Sequence, residues 1–155
     1  MSITSRIIHF VGGLFFERPV RGVTAEALFA RFTASHAPYI AALEGKADTA
    51  KNRALVAHII GVERWAQARI NQVRTGVTYH EECDRYVPAT DTSYADLVRT
   101  AATTRTESIA LVQSLITADI ALTQIVTHNE FGTLSLAAWI QYMMSHSMLE
   151  AKKLR

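Results

Sequence analysis

The 155-residue chain contains one cysteine, three prolines and seven glycines, and each scarcity removes a class of protein. A lone Cys83 excludes an intramolecular disulfide, has no CxxC partner, and suits a reducing cytoplasm. In the segment HEECDRYVP it is expected to be an inert thiol. With so few Gly and Pro the chain is neither fibrous nor low-complexity. The formal charge is only +2, and no basic run is interleaved with aromatics, which argues against a nucleic-acid partner. Long hydrophobic runs are also missing. The nearest, RIIHFVGGLFF from Arg6 to Phe16, is too short to span a bilayer. Glu17, Arg18 and Pro19 follow it in place of a small-residue cleavage site, so it is not expected to be a signal peptide. We expect it to pack on the domain or on a second subunit, and we expect a cytoplasmic protein with no membrane partner. There is no Ser-His-Asp arrangement, no Gly-rich phosphate loop and no internal repeat.

What is present is a helical period. Hydrophobic residues make up 49% of the chain and charged ones 19%, the balance of a globular domain with a real core. Four segments repeat their apolar residues every three or four positions. The first runs from about Thr24, a candidate N-cap, to Leu43, with Pro38 expected to kink or interrupt it. The second runs from about Thr49 to Arg74, with Gly76 as its stop. The third opens at Ser93, where Asp96 completes a weak capping box, and continues to about Ile116. The fourth starts near Ser135 and carries Lys152, Lys153 and Arg155 in its last turn, as the helix dipole favours. A short strand around Ile125 to Thr127 is the only extended pattern. Four helices over one core predict an all-α fold, a four-helix bundle, as a single domain over residues 1–155 in which 1–23 form an N-terminal extension.

One constellation in this pattern can carry chemistry. His146 and Glu150 lie one turn apart and share a stripe with Leu136, Trp139 and Met143; His58 occupies an equivalent position in the second segment. A buried carboxylate left unpaired costs about 3–5 kcal/mol, so Glu150 must be protonated, paired or bound to a cation. Two readings compete with a metal. Glu150 and Lys153 sit on one stripe near the end of the helix, where that stripe can reach solvent. Alternatively, His146 and Glu150 hydrogen-bond to each other without an ion. Two imidazoles and a carboxylate nevertheless suit a divalent ion such as Zn, Ni or Fe(II) and leave positions open for a reacting group. Such an ion would lower the pKa of a bound water or thiol and polarise a substrate oxygen.

The segment ALVAHIIGVERWAQARI, Ala54 to Ile70, resembles the second helix of the DinB / YfiT-like superfamily, whose metal histidine lies in an "AH…ERW" context. EFGTLSLAAWIQYMMSHSMLEAKKL, Glu130 to Leu154, resembles that family's last helix, where an "FGT" turn precedes a His-x-x-x-His pair. The likeness runs from roughly Leu28 onward. It implies a four-helix bundle of DinB / YfiT-like type, often dimeric, with a divalent metal site. Implied activities are metal-assisted transfer of a low-molecular-weight thiol to an electrophile, thiol-dependent isomerisation and hydrolysis. Position by position, His58 matches the second-helix ligand and His146 the first histidine of the terminal pair. Glu150 stands where the family has its second histidine. That departure leaves two outcomes, an intact two-His, one-carboxylate site or one that has lost its metal.

Two functions follow as expectations. The first is a metal-dependent transferase or hydrolase acting on a small molecule, with His58, His146 and Glu150 as ligands of Zn, Ni or Fe and a low-molecular-weight thiol as a candidate cofactor. The second is a metal-free homodimeric bundle that binds a small molecule or a protein. The remaining polar residues receive structural readings. His128 in THNEFGT is expected in a loop near the last helix, and His36 in the core. Trp65 and Trp139 are core or pocket wall, and Glu63 and Arg64 a solvated face. Arg105 is expected to snorkel out of the third helix's apolar stripe. His9 and His80 fall in no usable pattern.

Overall fold

The computed structural model describes residues 12–155. His9 and most of the apolar stretch before Phe16 lie outside the described residues. Helices dominate. In chain order they are α1 (Ala25–Ala34), α2 (His36–Leu43), α3 (Ala50–Thr75), α4 (Tyr94–Thr117) and α5 (Leu136–Ala151). Strands β1 (Ile125–His128) and β2 (Gly132–Ser135) form an antiparallel hairpin between α4 and α5. The strand expected near Ile125 is therefore present, one residue longer, and paired with a second strand that the sequence pattern had not suggested.

Helix boundaries follow local chemistry. Thr24 Oγ1 accepts from Ala27 N at 3.2 Å and Thr49 Oγ1 from Asn52 N at 3.1 Å. Ser93 Oγ accepts from Asp96 N at 3.2 Å, each pairing filling an otherwise orphan N–H at a helix start. Gly76 closes α3 in the left-handed conformation (φ 67°), with its N–H on Gln72 O, the geometry a glycine adopts without penalty. The first helical segment is broken, and the break falls at Ser35 rather than at Pro38. A proline ring clashes with the carbonyl one turn earlier and cannot donate to it, so the interruption lies N-terminal to the ring. The last helix ends at Ala151, so Lys152, Lys153 and Arg155 lie beyond it rather than in its last turn.

Two contiguous apolar clusters fill the interior. One gathers Phe32, Val62, Trp65, Val112, Leu134, Trp139 and Met143; the other gathers Tyr39, Val56, Ile60, Leu97 and Ala151. Between the helices lies a polar group that the sequence reading had placed elsewhere. Glu63 is not on a solvated face, and Arg105 does not snorkel. Both are buried, Arg105 completely. Arg105 Nε and Nη2 donate to Glu63 Oε1 and Oε2 at 2.7 and 2.9 Å. Nη1 donates to Ser35 Oγ at 3.0 Å and Nη2 to Ser147 Oγ at 2.7 Å. The guanidinium also lies over the rings of Phe32 and Tyr39. All five helices thus contribute to, or abut, one satisfied ion pair.

Residues 12–20 are part of this fold rather than an appendage. Val20 is buried, and Phe16 packs on Phe131 and Tyr142. Glu17 accepts from Ser135 N at 2.6 Å and Ser135 Oγ at 3.0 Å, where α5 begins. No described helix is long and apolar enough to cross a membrane.

Candidate functional site: an aromatic cavity with three histidines

A cavity of about 320 Å³ lies between α3, α5, the turn at Cys83–Tyr86 and the β-hairpin. Aromatic rings from Phe16, Trp65, Phe131 and Tyr142 wall it, and His58, His128 and His146 reach it from three separate elements. Glu82, Glu130 and Glu150 are the carboxylates on its lining. Gly61 on α3 makes room for one wall: a Cβ there would lie 2.6 Å from Val87 Cγ2 and 3.3 Å from Cys83 O.

Of the three expected ligands, the structure pairs two. The His58 and His146 ring centres are 5.2 Å apart with the rings inclined at 61°. Glu150 lines the same cavity, but its Oε1 accepts from Lys153 Nζ at 2.5 Å and not from His146. Neither residue occupies the fully buried seam expected of it. Leu136, Trp139 and Met143 of that stripe are fully buried, together with Ile140, Ser147 and Ala151, while Tyr142, His146 and Glu150 line the cavity. The two faces are adjacent on one helix, and an apolar residue on either reads alike in sequence.

The fit of a divalent ion divides accordingly. An imidazole nitrogen sits about 2.0–2.1 Å from such an ion, and the ring centre about 1.1 Å behind it, so two imidazoles in tetrahedral geometry have centres about 5 Å apart. The His58–His146 pair has that spacing. Burial, then the neighbouring His58, pushes the His146 pKa down to about 4, so at neutral pH the ring is uncharged and one nitrogen offers a lone pair. The carboxylate has Oε1 engaged by Lys153, and its second oxygen makes no hydrogen bond among the described residues. Among the described residues no three His, Cys, Asp or Glu side chains stand ready as a cation cage.

His128 belongs to β1 rather than to a loop, and it is buried to 3% exposure. Its Nδ1 accepts from Glu130 N at 3.1 Å and Phe131 N at 3.3 Å. The ring is enclosed by Trp65, Phe131, Trp139 and Tyr142, with centres 4.6–5.0 Å away. Burial, then Arg69 and His146, hold its pKa down to about 3. The signal for this placement was alternation: Val126 and His128 face one way, Ile125 and Thr127 the other. Both tryptophans take their expected places. Trp65 is cavity wall, donating Nε1–H to Glu81 O at 2.8 Å; Trp139 is core, donating to Val126 O at 3.1 Å. Burial and the nearby Asp84 and Glu82 push the Cys83 thiol pKa up, which agrees with an inert role. His36 is half-buried at the start of α2, and His80 is exposed.

A family model described as the DinB superfamily matches residues 20–150 of the chain. No curated protein and no solved structure matches it.

Proposed function

The chain belongs to the DinB superfamily, and on that premise we propose a metal-dependent enzyme acting on a small electrophile by thiol transfer or hydrolysis, with His58, His146 and Glu150 as ligands. We read α1 with α2 as one broken helix of the family's four-helix bundle, α3, α4 and α5 being the others. The observation that supports the site is the 5.2 Å imidazole pair on the wall of a cavity that Glu150 also lines. A Zn, Ni or Fe(II) ion bound there would supply Lewis acidity and a lowered pKa for a water or thiol brought to it.

The chain's own residues supply the rest. His146, unprotonated at neutral pH, presents a lone pair without first losing a proton. Trp65, Phe131 and Tyr142 exclude bulk water and stack on a flat substrate. Burial keeps the Tyr142 phenol protonated well above neutral pH. Burial, with Asp84 and Glu82 nearby, raises the Cys83 thiol pKa and disfavours its thiolate. In this reading the attacking group is a water or a low-molecular-weight thiol brought to the ion.

The test is elemental analysis of tag-free, chelator-free protein beside His58→Ala, His146→Ala and Glu150→Ala. Stoichiometric metal in the parent, reduced at least tenfold in each folded variant, is expected. Full metal content in the variants sinks the assignment. The Glu150–Lys153 ion pair favours one second reading, a metal-free homodimer that binds a small molecule or protein. It predicts no metal even after reconstitution and no loss of ligand affinity on Glu150→Gln.

A further inference from the structure

The cations that follow α5 have no part in the site described so far, except Lys153. α5 stops at Ala151, and residues 152–155 continue as a turn, with Lys153 N donating to Glu150 O at 2.9 Å and Leu154 N to Ala151 O at 3.2 Å. The buried side chain of Asn52, on α3, fixes the end of that turn. Its Nδ2 donates to Arg155 O at 2.7 Å and to Ala47 O at 2.9 Å, and its Oδ1 accepts from Arg155 N at 3.4 Å. Leu154 is buried as well. This anchoring sets Lys152, Lys153 and Arg155 beside Lys51 of α3, around an open groove of about 700 Å³ that His58 and Glu150 also line. The two candidate ligands therefore border two spaces, the aromatic cavity and this groove.

Charge distinguishes the groove. Four cationic side chains line it against the single carboxylate of Glu150, which Lys153 already engages at 2.5 Å. Lys51, Lys152 and Arg155 are exposed and have no ion-pair partner among the described residues. The whole chain has a formal charge of only +2, so the groove alone holds a larger positive excess than the molecule. Like charges held around one space repel, and an anion between them relieves the repulsion. The geometry points to this groove as the docking subsite of an anionic co-substrate, a small molecule with two or more carboxylate or phosphate groups, which reaches His58 and Glu150 from outside the aromatic cavity. No Phe, Tyr or Trp among the described residues lines the groove, so it receives the charged part of a ligand and leaves a flat apolar body to the cavity. The role as co-substrate rests on the reactive site proposed above, whereas the anion subsite rests on the groove alone.

The test is an NMR titration of the full chain, treated with chelator and dialysed, with tricarballylate (three carboxylates) and with its neutral triamide. Tricarballylate is expected to bind about tenfold tighter, the combined effect of three exposed ion pairs, and raising the salt from about 0.02 M to about 0.5 M should erase that preference. Signals of Lys51, Leu55, Lys152 and the His58 ring should move, while those of Trp65 and Phe131 on the cavity wall stay in place. In the double variant Lys51→Gln, Lys152→Gln the preference should fall to twofold or less. In Lys51→Arg, Lys152→Arg, which keeps both charges, it should survive. Any of five results overturns the proposal: no binding of tricarballylate; equal binding of the triamide; a full preference in the glutamine variant; loss of the preference in the arginine variant; or shifts centred away from the groove. The shift map is read on the unaltered protein, so it decides even if a variant fails to fold. Because the titration is run without metal, an anion preference in a protein that never takes up an ion removes the metal site and leaves the groove. Stoichiometric metal with no anion preference removes only the groove.

Discussion

At the scale of single residues, Arg105 shows how a side chain's meaning depends on its neighbours. On the α4 stripe it interrupts an apolar run, and a lone guanidinium there would extend toward water. Instead it meets Glu63, forty-two positions away, in a bidentate pair finished by Ser35, Ser108 and Ser147. Breaking one partner leaves an uncompensated buried charge, costing about 3–5 kcal/mol. Arg105→Met should therefore lower the urea midpoint severely, and adding Glu63→Met should recover a large part of the loss. A double variant no more stable than the single one would show that the carboxylate is not what the guanidinium serves. The same dependence governs Glu150. Its stripe position was readable, but its engagement by Lys153 follows from where α5 stops.

At the scale of elements, turns and caps were legible wherever a side chain acts on its own backbone. Thr24, Thr49, Ser93 and Gly76 mark boundaries because their bonds span three or four residues. Pro38 signalled an interruption, and steric contact one turn earlier set it at Ser35. Gly61 was not legible, since its role depends on the loop that crosses α3. Alanine there gains helix propensity of about 0.5–1 kcal/mol but drives a methyl into Val87 and the Cys83 carbonyl. Overpacking costs about 1–3 kcal/mol, so Gly61→Ala should be destabilising by about 1 kcal/mol. It should also perturb the chemical shifts of Cys83 and Trp65 on the cavity wall. A stabilised protein with unchanged shifts would mean that the turn does not rest on this glycine.

At the scale of the whole molecule, the buried histidines tie stability to pH. His128 titrates near 6.5 unfolded and about 3 folded. Above pH 6.5 both states are neutral and the linkage vanishes; below it only the unfolded chain takes up the proton, so stability falls as pH drops toward 3. Each pH unit in that window costs about 1.4 kcal/mol for this one group. In metal-free protein, the difference in unfolding free energy between parent and His128→Asn should shrink by about 2 kcal/mol from pH 6.5 to 5. A difference independent of pH would place the imidazole in solvent.

The sequence by itself determined the helical elements, most of their ends, the apolar faces and the three candidate ligands, because period and capping are local and act through the chain's own backbone. The tertiary structure alone decided which polar groups meet. It set Arg105 on Glu63, turned His146 and Glu150 from the seam to a cavity wall, and enclosed His128 among four aromatic rings. Such pairings join residues tens of positions apart, and their energies depend on distance and burial, which exist only once the helices have packed.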